Sequence, residues 1–281
     1  MKTGKAWYVL FTFPLMFAFF LVVVVPFIIG IGMSFTEWDG LAKHAMVFTG
    51  FKNYIDILGD QRFFASAGRT TLYTLISVVS VNVVGLIFAL VVTAKLKVAN
   101  IARTMLFVPY LIGGLILGYI WKSVFSEYFL SIGWGNWLTD NTKSMAAMVV
   151  VTTWQMAGYV MIVYITGLLA IPDDILEAAS VDGATYLQSL FKVRFPLLMP
   201  SFTICMFLTL SNCFKVYDVN VALTGAGPNF QSEMFSLNIY NEIFDLSNFG
   251  YGQAKAIIFF LIIAVITLTQ VFITKKREVS M

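Results

Sequence analysis

Six long stretches of the chain contain no Asp, Glu, Lys or Arg. They are bounded by Lys5 and Glu37, by Arg69 and Lys95, and by Arg103 and Lys122. Three more follow, bounded by Lys143 and Asp173, by Arg194 and Lys215, and by Lys255 and Lys275. A hydrocarbon core ~30 Å thick is crossed by a helix of ~20 apolar residues, and each stretch approaches or exceeds that length. Composition points the same way. The chain is 59% hydrophobic and 12% charged, against roughly 25% charged in an ordinary soluble domain. A compact soluble body must keep a polar exterior, which this chain cannot supply. Lipid is therefore part of its solvent, and the fold class is an all-α polytopic membrane protein with six transmembrane helices.

The first stretch starts like a signal peptide, with Lys2 and Lys5 ahead of it, but its apolar run is far longer than ~15 residues and lacks a small-residue cleavage site. It reads as a retained first helix, with Pro14 and Pro26 bending it or keeping its first turns outside the lipid. Residues Val219–Ser232 are broken by Gly225, Gly227 and Pro228 and are too short to cross. They read as a segment that dips into the membrane or caps a cavity.

Placing the N-terminus inside puts Lys2, Lys5, Lys95, Lys97, Arg103, Lys192, Arg194, Lys275, Lys276 and Arg277 on the inner side, ten of the 18 basic residues. With short inner loops, this bias sets both termini in the cytoplasm of a cell-membrane protein. The net charge of +3 is too scattered for nucleic acid, and one His makes neither a metal site nor a catalytic triad. Cys205 and Cys213 lie two turns apart in one apolar run, too far to bridge within a helix, and read as buried thiols.

Residues 171–200 lie between the fourth and fifth spans, on the inner side. Pro172 suits a helix start, and Asp173 and Asp174 favour its positive end. A short helix through Glu177, Ala178 and Ala179 is expected to end or bend at Gly183. A second helix, Ala184 to Lys192, follows at an angle, and Pro196 and Pro200 mark the return to the membrane. The middle of this projection is small-sided, so a partner can approach closely.

The pattern Glu177-Ala178-Ala179, Asp182-Gly183-Ala184, Pro196 and Pro200 resembles the EAA loop of binding-protein-dependent ABC permeases. Two further stretches resemble the sugar-importing, MalF/UgpA-like branch. They are Gly50-Phe51-Lys52-Asn53-Tyr54, with Asp60 and Phe63, and Leu223-Thr224-Gly225-Ala226-Gly227-Pro228, followed by Ile239-Tyr240. Ala226 stands where glycine is commoner, and Leu187 and Leu190 where Trp and Phe are frequent. The resemblance covers nearly the whole chain. It implies a first helix and extracytoplasmic segment over 1–65, a type-1 permease core over 66–275 and a cytoplasmic tail over 276–281. It implies that Glu177, Ala178, Ala179, Asp182, Gly183 and Ala184 couple the membrane helices to a cytoplasmic ATPase dimer. That partner would bind ATP and Mg, leaving this chain with no cofactor and no enzymatic activity. A second homologous permease and an extracytoplasmic sugar-binding protein complete the implied assembly.

Polar residues at membrane depth are costly and usually face a cavity or another helix. Gln155 and Tyr159 share one face of the fourth span, and Thr209, Asn212 and Cys213 lie in the fifth. Asn82 lies in the second span. Counting from the matched motifs, the resemblance puts Tyr159, Thr209, Asn212 and Cys213 on or beside positions where the family's maltose permease contacts sugar. Helix-to-helix hydrogen bonding is the other reading of each. Lys215 and Asp218, at the outer end, could instead meet the binding protein or each other.

The chain lacks G-x-x-x-x-G-K-[ST], so ATP-driven transport needs a separate ATPase. A secondary transporter would be expected to carry ionisable groups inside its spans, and these stretches contain none by construction. No G-x-S-x-G or H-E-x-x-H motif supports a membrane enzyme. Within the family, a small anion such as glycerol phosphate is the alternative solute, but no pair of arginines stands near the path.

Overall fold

A computed structural model describes residues 3–94, 99–133, 135–276 and 278. Four of the basic residues used to orient the chain (Lys2, Lys95, Lys97 and Arg277) lie outside the described residues, as does most of the tail from 277 onward. In chain order the helices begin with α1 Thr3–Phe19 and α2 Val25–Ser34, separated by a π turn. A two-stranded hairpin follows, β1 Thr36–Glu37 and β2 Val47–Phe48, then α3 Lys52–Leu58 and α4 Gln61–Thr93. Next come α5 Ala99–Leu111, α6 Gly114–Ser131, α7 Asn141–Leu169 and α8 Asp173–Val181. The chain ends with α9 Tyr186–Ser189, α10 Phe195–Leu197, α11 Met199–Phe214, α12 Phe235–Tyr240 and α13 Phe249–Lys275.

Among the described residues, four helical runs are long and apolar enough to cross a membrane, at Trp7–Ser34, Gln61–Thr93, Asn141–Leu169 and Phe249–Lys275. The third and fifth charge-free stretches are not straight spans. They form bent pairs, α5 with α6 at 97° and the helical run Tyr186–Leu197 with α11 at 69°, and counting each pair once gives six.

Contacts divide the described chain into two compact units, residues 1–61 with 238–261, and residues 62–237 with 262–281. In the first unit, Pro26 does not break the first span. It has no N–H to donate, and the π turn Phe20–Val24 just before it absorbs the fault, with the Val25 N–H reaching back to the Phe20 carbonyl. Asn53 and Tyr54 of the G-F-K-N-Y stretch pin the end of α2. The Asn53 amide donates to the carbonyls of Ser34 and Thr36 at 2.8 and 2.9 Å, and Tyr54 pairs with the Ser34 hydroxyl at 2.7 Å. In the connecting loop, the Leu41 backbone N–H and then the His44 ring hold the Asp39 carboxyl below its usual range.

Lys255 opens the last charge-free stretch, and α13 carries it fully buried. Its ammonium lies 2.8 Å from Asp60 and 2.7 Å from Glu242. Tyr251 donates to Asp60 and the Asn248 amide donates to Glu242, at 3.1 and 2.8 Å. A buried cation is tolerable when paired and hydrogen-bonded in this way.

The core of the second unit joins α4, α7 and α11 through Tyr73, Val81, Met148, Val151, Val160, Met161, Tyr164 and Cys205. Helices in lipid gain little from the hydrophobic effect and associate by close packing and interhelical hydrogen bonds. Gly85 sits where an added Cβ would lie 2.7 Å from Val160, and Gly158 where it would lie 2.0 Å from the Leu106 carbonyl oxygen. Helix α4 runs for 33 residues from Gln61, more than a hydrocarbon core requires, and its first turn packs on the chain before α12. There Arg62 grips the buried Glu233 with two hydrogen bonds, 2.8 and 2.5 Å, and lies over the Phe230 ring.

The Val219–Ser232 segment does not cross. Asn220 folds it back, donating to Thr224 Oγ1 and the Ser232 carbonyl at 2.8 Å each and accepting from the Met234 N–H at 2.9 Å. Gly225, Ala226 and Gly227 all take positive φ, 56°, 68° and 67°. An alanine costs roughly 1–2 kcal/mol in that conformation, the physical reason glycine is the commoner choice there.

Candidate functional site

Two places in the second unit gather the residues singled out from the sequence. The first is a cavity of about 260 Å³ beside the break between α5 and α6. Pro109 lies inside α5, and Gly113 is extended (φ −60°, ψ 141°) before α6 begins at Gly114. Ending one helix inside a bundle leaves carbonyls without helical partners. The Ile112 carbonyl receives the side-chain amide of Gln155, at 2.9 Å.

Gln155, Asn212 and Cys213 line the cavity, joined by Tyr73, Tyr110, Gly114, Thr152, Lys215 and Asp218. Tyr73 and Thr152 hydrogen-bond to each other at 2.6 Å. Asn212 is exposed, and its amide nitrogen donates to the Leu208 carbonyl one turn back, at 2.8 Å. Cys213 is a buried free thiol, as is Cys205. One cation and one carboxylate, Lys215 and Asp218, share the wall, so the site has no excess of either charge.

Tyr159 and Thr209 stand elsewhere. Tyr159 is stacked on Tyr110, with ring centroids 4.5 Å apart and planes 14° apart, so Tyr110 is the ring of this pair on the cavity wall. Thr209 is fully buried in a network that ties three helices. It accepts from the Asn82 amide at 3.0 Å and donates to the Cys205 carbonyl at 2.7 Å, while Tyr164 donates to the Asn82 oxygen at 2.8 Å. These are helix-to-helix bonds, the second of the two readings for membrane-depth polar groups. Sequence reasoning missed Tyr110 and Gly114. The available signal was Pro109 with Gly113-Gly114 inside a charge-free run, a pattern that marks a break where backbone must find new partners.

The second place is the segment from α8 to α10. Asp173 and Asp174 occupy the first turn of α8, and Pro172 holds the extended N-cap position. The helix closes in a Schellman motif. The Gly183 N–H bonds the Ser180 carbonyl at 3.1 Å, and the Ala184 N–H bonds the Ala179 carbonyl at 3.0 Å, with Gly183 at φ +78°. Thr185 and Gln188 then form a capping box at the start of α9. No residue of α8 is buried, and Val181, Tyr186, Leu187 and Phe191 are large apolar side chains left open, Val181 at 88% exposure. Glu177, Ala178, Asp182 and Gly183 are exposed, and Ala179 and Ala184 are half-buried.

A family model described as the binding-protein-dependent transport system inner membrane component matches residues 81–279. Over 282 aligned residues the chain is 45% identical to a probable starch degradation products transport system permease protein of Thermoanaerobacterium thermosulfurigenes, covering 98% of this chain and 96% of that one. It is 32% identical over 262 residues to a multiple sugar-binding transport system permease protein of Streptococcus mutans, covering 90% of each. Among solved structures, a chain of a bacterial ABC transporter involved in the import of the acidic polysaccharide alginate superposes with a TM-score of 0.82. That match covers 98% of both chains at 19% identity, which is a likeness of fold.

Proposed function

This chain belongs to the family of inner membrane components of binding-protein-dependent transport systems, and we propose that it is one permease subunit of an ATP-driven importer of a neutral oligosaccharide of the kind released from starch. One observation carries the substrate class, the 45% identity, end to end, with a permease named for starch degradation products. The cavity suits it in chemistry. Tyr110 offers an aromatic face, Asn212 and Gln155 offer polar groups, and Lys215 is balanced by Asp218. Relatives named for sn-glycerol-3-phosphate transport are 27–28% identical. An organic phosphate would call for unopposed cationic groups, which this wall lacks. The cavity is smaller than the ~300–1,000 Å³ usual for small-molecule sites, so it would hold part of a chain rather than a whole oligosaccharide.

In this reading α8 and the turn after it are the docking element for a cytoplasmic ATPase, with both termini of the chain on the same side. Glu177 faces a basic residue of the ATPase, Ala178 and Ala184 permit close approach, and Gly183 holds the two short helices at their angle. The exposed apolar side chains from Val181 to Phe191 would be covered by that partner. A second permease subunit completes the path, and an extracytoplasmic binding protein delivers the sugar.

The test is uptake of radiolabelled maltotriose in cells from which this chain has been deleted. Loss of uptake, restored by the wild-type chain but not by Glu177→Lys at equal membrane abundance, is the expected result. Normal maltotriose uptake without the chain would refute the substrate class, and full rescue by Glu177→Lys would refute the docking role.

A further inference from the structure

We propose that Gln155 is a positioning residue that latches the break between α5 and α6, so that the cavity opens and closes by bending at Ile112-Gly113. This rests on the transport reading above but concerns how the path moves rather than what it carries.

The sequence singled out Gln155 as a polar residue facing a path. The structure keeps Gln155 on the cavity wall and gives its amide nitrogen a backbone partner, the Ile112 carbonyl at 2.9 Å, contributed by a different helix pair. That carbonyl lies at the break where the helices meet at 97°. Backbone freed at membrane depth is tolerated only when something else satisfies it, and Gln155 does so with one neutral donor.

The two limbs of the break are fastened chiefly to different neighbours, with one shared contact where Trp121 of α6 meets Trp154 of α7 edge-on, ring centroids 5.5 Å apart. On the α5 side, Gly158 of α7 lies so close under Leu106 that an added Cβ would sit 2.0 Å from its carbonyl oxygen, and Tyr110 stacks on Tyr159. The α6 side packs on the segment after α11. A Cβ on Gly114 would lie 2.9 Å from that of Asp218, and one on Gly118 would lie 2.5 Å from that of Ala222. At Gly113, between the limbs, a Cβ would meet nothing within 4 Å. The joint is thus the loosely packed point between two tightly packed limbs, the arrangement expected of a hinge.

The cavity lies across this joint. Tyr110 borders it from the α5 limb, Gly114 and Asp218 from the α6 limb. Any change in the bend angle alters the separation of those walls. Gln155, on α7, therefore ties the α5–α7 block to the hinge carbonyl and holds the bend at one angle. Breaking that bond frees the joint.

The diagnostic variant is Gln155→Glu. Protonated, its carboxyl can donate to Ile112 O; ionised, it cannot. Cys213 lies in the cavity wall and reports its opening without any sugar. In membrane vesicles holding the assembled transporter with Cys205→Ser, the rate of Cys213 labelling by a small maleimide is measured from pH 5 to pH 8. Each rate is divided by that of the Gln155 parent at the same pH. The titratable groups on the same wall, Tyr73, Tyr110, Cys213, Lys215, Tyr217 and Asp218, are common to both chains, and a new carboxylate beside them can only slow thiolate labelling, so a faster rate at pH 8 marks opening.

The expected ratio is near 1 at pH 5 and at least threefold above it at pH 8. In parallel, Gln155→Leu should lower the maximal rate of maltotriose uptake about tenfold and move the half-saturating concentration less than twofold. A labelling ratio no higher at pH 8 than at pH 5 would overturn the latch. So would a Gln155→Leu effect confined to the half-saturating concentration, which would make Gln155 a sugar contact. If the parent takes up no maltotriose but the labelling ratio still rises with pH, the substrate reading falls and the latch stands.

Discussion

The two bends in this chain are built in opposite ways. The turn between α8 and α9 is made by its own residues, with Gly183 in the left-handed region, a Schellman closure behind it and a Thr185–Gln188 capping box ahead. A Cβ on Gly183 would meet nothing within 4 Å. The break between α5 and α6 is made by other elements, because its freed carbonyl is satisfied by Gln155 from α7 and its limbs are clamped by distant glycine contacts. A segment exposed along its length has few neighbours to shape it, so local chemistry has to do so. A joint inside a bundle can leave its geometry to the packing around it.

The contrast can be broken by substitution, and the largest effect belongs to the exposed turn. Gly183→Val puts a β-branched residue at φ +78°, where side chains are strongly disfavoured. Since no neighbour would be struck, the chain should still insert and fold. Uptake should nevertheless be abolished, because the two short helices lose their angle. Uptake coupled normally to ATP hydrolysis in proteoliposomes would mean that the turn's geometry is not needed.

Next in size is Gly158→Ala, which acts on the other bend through packing alone. Its Cβ would meet Leu106 O at 2.0 Å and the Leu106 carbonyl carbon at 2.7 Å. Backbone cannot yield as a side-chain tip can, so a loss of about 1–3 kcal/mol is expected. It would read as a thermal midpoint several degrees lower in detergent. Gly113→Ala, with open space and φ −60°, should leave the midpoint nearly unchanged. Equal shifts in the two variants would show that the limbs are not clamped differently from the joint.

The smallest effect is Thr185→Ala. Losing the cap should cost about 1 kcal/mol, and only locally. Amide exchange over residues 186–189 should quicken roughly fivefold, with α5, α6 and α7 unaffected. A global change would mean that the protruding segment is tied into the bundle after all.

Much was legible because it depends on composition or on neighbours in sequence. Charge-free length locates the four long apolar helices and the two bent pairs, since hydrocarbon penalises a charge whatever the fold around it. Asp173, Asp174 and Gly183 mark the protruding helix pair because caps and positive φ are local properties. What was not legible was the inner shape of the passes. A charge-free stretch such as Arg103 to Lys122 looks the same whether it runs straight or turns by 97°. Pro109, Gly113 and Gly114 permit the turn without requiring it.

The same limit divides the polar residues. Gln155, Thr209 and Asn212 are alike to a sequence reader, each a polar side chain in an apolar helix. The fold put Gln155 on the cavity wall with a broken helix to hold, sealed Thr209 against Asn82, and left Asn212 on the same wall. Lys255 reads from sequence as the edge of a span, and the fold buries it between Asp60, far away along the chain, and Glu242, close by. The sequence by itself determined that this chain lives in lipid, which stretches are apolar and long enough to cross it, and where the exposed helix pair lies. Tertiary structure alone decided which polar groups face a cavity and which face each other. Membrane depth sets the cost of a polar group, but its partner is a matter of which helix packs beside it.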